Sequence, residues 1–182
     1  MSHDDIKIDE LVVTKLFRNL NACKSSGPDG IFSKILKECA KELSPPFQRL
    51  FQSSIDASYV PKLWEKIIIS PIAKKPNQKE MNDLRSIALT SVPIKCLEKV
   101  VKGQIFENVK NDLDDYQFAY RSDRSVEDAV LTLPNGIYEH LDDRSVNCVK
   151  IVFIDFASAF NTTQPHVLAR KLIDLKVNPI LI

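Results

Sequence analysis

The sequence contains no C-x-x-C pair; its four cysteines, Cys23, Cys39, Cys96 and Cys148, lie far apart. Such scatter fits neither a zinc site nor a disulfide frame and reads as reduced thiols inside a cell. The three histidines, His3, His140 and His166, show no metal-ligand spacing either and are expected at the surface. No apolar run has the length needed to cross a bilayer, and the opening "MSHDDIKIDE" is too polar for a secretory signal. A membrane or secreted protein is therefore not expected. Nucleophile motifs of the G-x-S-x-G type, Cys/His pairings and glycosidase-like acid pairs are absent as well. The turn "SSGPDG" lacks the G-x-x-x-x-G-K-[ST] spacing of a phosphate-cradling loop.

What is present is the composition of a globular chain. The 182 residues are 44% hydrophobic and 27% charged, enough for one ordinary domain with a core. The net charge of +1 does not by itself announce a nucleic-acid binder. It is unevenly spread: Lys62, Lys66, Lys74, Lys75, Lys79 and Arg85 are relieved only by Glu65, Glu80 and Asp83. A stretch of that kind is usually a solvated face.

Apolar spacing predicts a helix over Ile8–Leu20, followed by a tight turn at Pro28, Asp29 and Gly30. Helical spacing resumes at Ile31, is expected to break at Pro45 and Pro46, and returns through Phe47, Leu50, Phe51 and Ile55. The β-branched run Ile67–Ile69 with Ile72 predicts a strand, Pro71 marking an edge or bulge, and "LRSIAL" a second strand of a basic hairpin. Ser91 is placed to cap the next helix, whose apolar stripe is Ile94, Leu97, Val101 and Ile105. Ser125 and Asp128 have capping-box spacing for a further helix, with a kink or break expected at "LPNG". "VNCVKIVFID" reads as the best strand, apolar enough to be buried on both faces. A last helix is predicted from about Pro165 to Lys176. The apolar ending "NPILI" suggests a sequence cut inside a larger domain.

Two features have chemical potential. Asp155 ends the apolar run; alone, such an acid caps the following turn more often than it binds a metal, although strand-end carboxylates are how phosphoryl-transfer enzymes hold Mg²⁺. Lys74, Lys75 and Arg85 on facing hairpin arms either clamp phosphate oxygens or simply solvate the hairpin. The acid pair in "LDD" at Leu141–Asp143 reads as a solvated loop.

The order of the segments decides more than any one of them. "SSGPDGI", "VPKLWEKIIISPIAKK", "LRSIALTSVPIKCLEKVV", "YQFAYRSDRSVEDAV" and "IVFIDFASAFNT" together resemble the reverse transcriptase of non-LTR (LINE-type) retrotransposons. The resemblance implies an α+β chain forming the fingers and partial palm of a right-hand polymerase. Fingers would occupy residues 1–145, with the basic hairpin near 65–90, and the start of the palm 146–182. It further implies an RNA-directed DNA polymerase that acts on an RNA template, a DNA primer and a dNTP with Mg²⁺. Asp155 would be the first catalytic metal ligand, and Phe160 the aromatic gate against a ribose 2′-hydroxyl. Backbone amides near Ser158 and Ala159 would face the triphosphate. Lys74 or Lys75 and Arg85 would lie over the nucleotide's phosphates and base, and Gln117, Phe118 and Arg121 would support template and nucleotide.

The sequence also departs from the family pattern. Ser86 stands in place of the proline of "RPI", Ser122 where similar sequences often carry proline, and "LPNG" interrupts a helix that is usually continuous. The glycine-containing template-grip helix and the "x-x-D-D" hairpin of the later palm are not among these residues. The chain is therefore expected to lack polymerase activity alone. The alternative is a non-catalytic remnant that binds nucleic acid or protein.

Overall fold

The computed structural model describes residues 6–74, 76–77, 80–156 and 162–182, without the side chain of Asn82. They fall into two compact units, Met1–Asn108 with Lys176–Ile182, and Val109–Leu175.

The first unit opens with α1, Glu10–Arg18. Asp9 caps it through its side chain, which accepts from the Leu11 amide at 2.8 Å, so one orphan donor of the first turn is satisfied. The expected turn forms: the Gly30 amide donates to the Gly27 carbonyl at 3.1 Å and Gly30 takes φ +70°. Helix α2, Ser33–Glu38, and helix α3, Ala40–Asp56, follow with only Cys39 between them. The helix break thus falls at Cys39, and α3 runs through Pro45 and Pro46, where the sequence predicted an end. The missing proline amides leave the carbonyls of Lys41 and Glu42 without their helical donors, but both residues are exposed to water. Continuing the helix in turn buries Phe51 and Ile55. Burial of such side chains contributes about 1.5–3 kcal/mol each, comparable with the local proline penalty.

That burial builds an aromatic row. Phe17 meets Phe47 edge-on with centroids 5.3 Å apart, Phe47 meets Phe51 at 5.9 Å, and Phe51 meets Trp64 at 5.8 Å. Val13, Leu36, Val92, Ile94, Cys96 and Leu97 complete the core. Two glutamines strap the preceding segment onto α3: Gln48 Nε2 donates to the Ile8 carbonyl at 2.9 Å, and Gln52 Oε1 accepts from the Ile8 amide at 2.8 Å.

After the short helix α4, Lys62–Glu65, strands β1, Ile68–Ala73, and β2, Leu84–Leu89, form the expected antiparallel hairpin. Helix α5, Val92–Val109, closes the unit's main path. Ser91 precedes it with its carbonyl accepting from the Lys95 amide at 3.4 Å. Its hydroxyl, however, is buried with no hydrogen-bond partner among the described residues, so the expected side-chain cap does not form.

The second unit contains α6, Val126–Leu141, and α7, Pro165–Asp174, neither of which buries a residue. The capping box at Ser125 and Asp128 forms as its spacing predicts. Helix α6 continues through "LPNG" without the expected break. Pro134 removes one amide donor, and the turn above it, including Val130, is open to solvent that can hydrate the freed carbonyl. The predicted central strand is the larger correction. Residues 147–156 carry no regular secondary structure, and Val152, Phe153 and Ile154 are 77–83% exposed. A strand exists only through its ladder, and among the described residues β1 and β2 pair with each other alone.

Candidate functional site

In the first unit the hairpin register decides which residues share a face. Ile72 pairs with Arg85 and Ala73 with Leu84, and the Lys74 amide donates to the Asp83 carbonyl at 2.8 Å, extending the ladder by one position. Side chains alternate, so Lys74 falls on the same face as Ile72 and Arg85, diagonal to the arginine across the hairpin. Both basic residues are exposed, and Ile72 is 49% exposed beside them. A cationic pair flanking an exposed aliphatic side chain can meet phosphate oxygens and an apolar base surface together. Lys75, also expected here, lies outside the described residues.

In the second unit Gln117, Phe118 and Arg121 are brought into one loop, and Asp114 organises it. Its side chain accepts from the Tyr116 amide at 2.7 Å, and its carbonyl accepts from Arg121 Nη1 at 2.7 Å and from the Gln117 amide at 3.0 Å. The Arg124 guanidinium sits 5.6 Å from the centre of the Phe118 ring, a cation–π contact. Tyr116 and Tyr120 stand exposed, the latter at φ +62°. Neither Asp114 nor Arg124 stands out by residue type. The signal was local: an aspartate two before Tyr116 makes an Asx turn, and an arginine six residues after Phe118 reaches back over the ring.

Phe118 also lines a groove of about 610 Å³, walled by Tyr116, Leu133, Ile137 and His140 on one side and by Val149–Val152 on the other. Helix α6 contributes Ala129, Thr132, Leu133, Gly136, Ile137 and His140 to the lining of this groove. Beyond the helix, Asp143 belongs to a solvated loop as expected. The Ser145 hydroxyl and amide hold its carboxyl below the usual carboxylate range.

Asp155 follows the groove-lining segment and is exposed. Ser158, Ala159 and Phe160 lie outside the described residues. Among the described residues no group of three or more His, Cys, Asp or Glu side chains comes together to hold a metal ion. One carboxylate is an incomplete donor set for a pair of divalent ions, so the residues present do not fit a two-metal centre.

A family description of reverse transcriptase (RNA-dependent DNA polymerase) matches residues 72–182, more than half of the chain. The chain belongs to the reverse transcriptase family. Comparison with curated proteins gave no match. Reverse transcriptases bind template, primer and dNTP and generally use divalent metal ions such as Mg²⁺. The matched span begins at Ile72 near the end of β1 and takes in Lys74, β2 with Arg85, and the 114–124 loop. No helix among the described residues is long and apolar enough to cross a membrane.

Proposed function

We propose that the chain is the fingers and the opening of the palm of a non-LTR (LINE-type) retrotransposon reverse transcriptase, and that these 182 residues alone do not polymerise. Residues 1–145 act as fingers and 146–182 as the start of the palm. In the complete domain, the primer's 3′-hydroxyl displaces pyrophosphate from the α-phosphorus of a dNTP opposite an RNA template. Lys74, Lys75 and Arg85 cover the nucleotide's phosphates and base. Asp155 supplies one metal-binding carboxylate, Phe160 excludes the 2′-hydroxyl, and amides near Ser158 and Ala159 face the triphosphate. Gln117, Phe118 and Arg121 support the template side.

The observation that carries this reading is the hairpin register that sets Lys74 and Arg85 diagonally on one exposed face. Positioned cations are what phosphoryl transfer asks of a protein, since charge stabilisation and orientation supply most of the catalysis. The lone carboxylate favours the second part, a piece that binds nucleic acid without turnover. Two assays test it with the purified chain. Primer extension on an RNA template is expected to be absent; extension that Asp155→Asn abolishes would refute the inactivity. Binding of a primer–template duplex is expected to weaken when Lys74, Lys75 and Arg85 are changed to alanine, with a salt slope smaller by about 0.7–0.9 for each phosphate no longer neutralised. An unchanged slope would remove the hairpin from the surface that holds the primer–template duplex.

A further inference from the structure

The first unit carries a second cationic feature, separate from the hairpin. A pocket of about 430 Å³ opens between the segment that follows α1 and residues 92–102 of α5, lined by Asn19, Leu20, Lys24, Lys95, Lys99 and Lys102 among others. Four lysines face one acid, Glu98, across this lining. Lys95, Lys99 and Lys102 recur at i, i+4 and i+7, so they stack on one stripe of α5. Like charges at that spacing repel and weaken a helix, which makes the stripe a cost unless an anion sits against it. None of the four lysines makes a salt bridge among the described residues.

The rest of the lining suits an anionic ligand with an apolar part. Val92 and the thiol of Cys96, both buried, lie at its floor, and the buried Ser33 and the exposed Ser25 add hydroxyls. Burial pushes the Cys96 thiol up to about 11 against the pull of nearby Lys99, so the floor stays neutral. The C-terminal end of α1 borders the pocket, but its carbonyls are engaged. Those of Lys15 and Phe17 accept from the Asn19 amide, and that of Leu20 accepts from Lys37 Nζ at 3.1 Å.

We propose that this pocket binds the phosphodiester backbone of single-stranded nucleic acid, at a site separate from the hairpin. The proposal rests on the family reading, which makes nucleic acid the macromolecule at hand. Lys95 to Lys102 covers about 10 Å along the helix axis at the α-helical rise, a length that suits linked phosphates better than one free anion.

The test is fluorescence anisotropy of a labelled oligo(U) RNA with the whole chain, titrated at several salt concentrations. The triple variant Lys95→Ala, Lys99→Ala and Lys102→Ala is expected to lower the magnitude of the log–log salt slope by about 2, at roughly 0.7 per neutralised single-strand phosphate. The same three positions changed to arginine are expected to keep the wild-type slope. Matching far-UV circular dichroism and urea midpoints distinguish removal of the ammonium groups from loss of folding. RNA binding with an unchanged slope in the alanine variant overturns the pocket while leaving the hairpin reading standing, which the hairpin triple variant tests in parallel. Loss of slope only in the hairpin variant has the same meaning. Lysine-dependent binding of inorganic phosphate or ATP without lysine-dependent RNA binding also overturns it, in favour of a small-anion site. No RNA binding by any of the proteins overturns both.

Discussion

Gly27 and Ser91 come into backbone contact: a Cβ built on Gly27 would stand 2.5 Å from both the Cα and the N of Ser91. The "SSGPDG" turn therefore presses directly on the start of α5, beside Val92 in the core. Gly27→Ala is expected to destabilise the chain by about 1–3 kcal/mol, because backbone cannot yield as a flexible side chain does. Gly30 meets nothing within 4 Å, so Gly30→Ala should cost only the left-handed strain of φ +70°, about 1–2 kcal/mol. Urea midpoints of the two variants check this; a wild-type midpoint for Gly27→Ala would contradict the close approach.

The aromatic row gives a second prediction. Phe51 is fully buried between Phe47 and Trp64, so Phe51→Ala should cost about 3–5 kcal/mol. Trp64 fluorescence during denaturation reports it directly, and a loss below about 1 kcal/mol would deny the row its place in the core.

Pro134 offers the opposite sign. It sits inside α6 without an amide to donate, in a helix that buries no residue. Pro134→Ala is expected to strengthen that helix, by up to about 3 kcal/mol on the intrinsic scale. Amide hydrogen exchange across Val126–Leu141 should slow. Unchanged or faster exchange would mean that the proline holds a kink the helix needs.

Removal of the capping box should act in the same helix. The Ser125 hydroxyl accepts from the Asp128 amide at 3.1 Å, and the Asp128 carboxylate accepts from the Ser125 amide at 2.7 Å. Ser125→Ala is expected to cost about 1 kcal/mol and to raise exchange most in the first turn. Equal effects at both helix ends would show a cause other than the cap.

Cys96 predicts a pH dependence. Its thiol moves from an ordinary 9.0 to about 11 in the folded chain, because burial disfavours the thiolate. Between those values the unfolded chain releases the proton first, so stability falls as pH rises from about 9 to about 11 and is unaffected by this group below 9. Cys96→Ala should start lower because its side chain no longer fills the core, but show a shallower decline over that window. Parallel slopes for wild type and variant between pH 8 and 10.5 would contradict it.

Elements with local causes are legible in the residues alone. The hairpin needed only its β-branched runs and polar connection, α1 its apolar spacing, and the start of α6 its Ser125–Asp128 box. Family membership was legible in the same way, because the order of segments along the chain needs no knowledge of contacts, and the family match over residues 72–182 takes in the last three of them. Tertiary structure decided the rest. Whether α3 passes Pro45 and Pro46 depended on what Phe51 and Ile55 bury beneath it, a gain no propensity contains. Whether Val149–Ile154 becomes a strand depended on a ladder partner, and apolar character cannot replace one. The close approach at Gly27 and the pocket that the α5 lysines line arise where distant segments meet. Spacing along the chain fixes which residues share a face; only packing fixes what that face confronts.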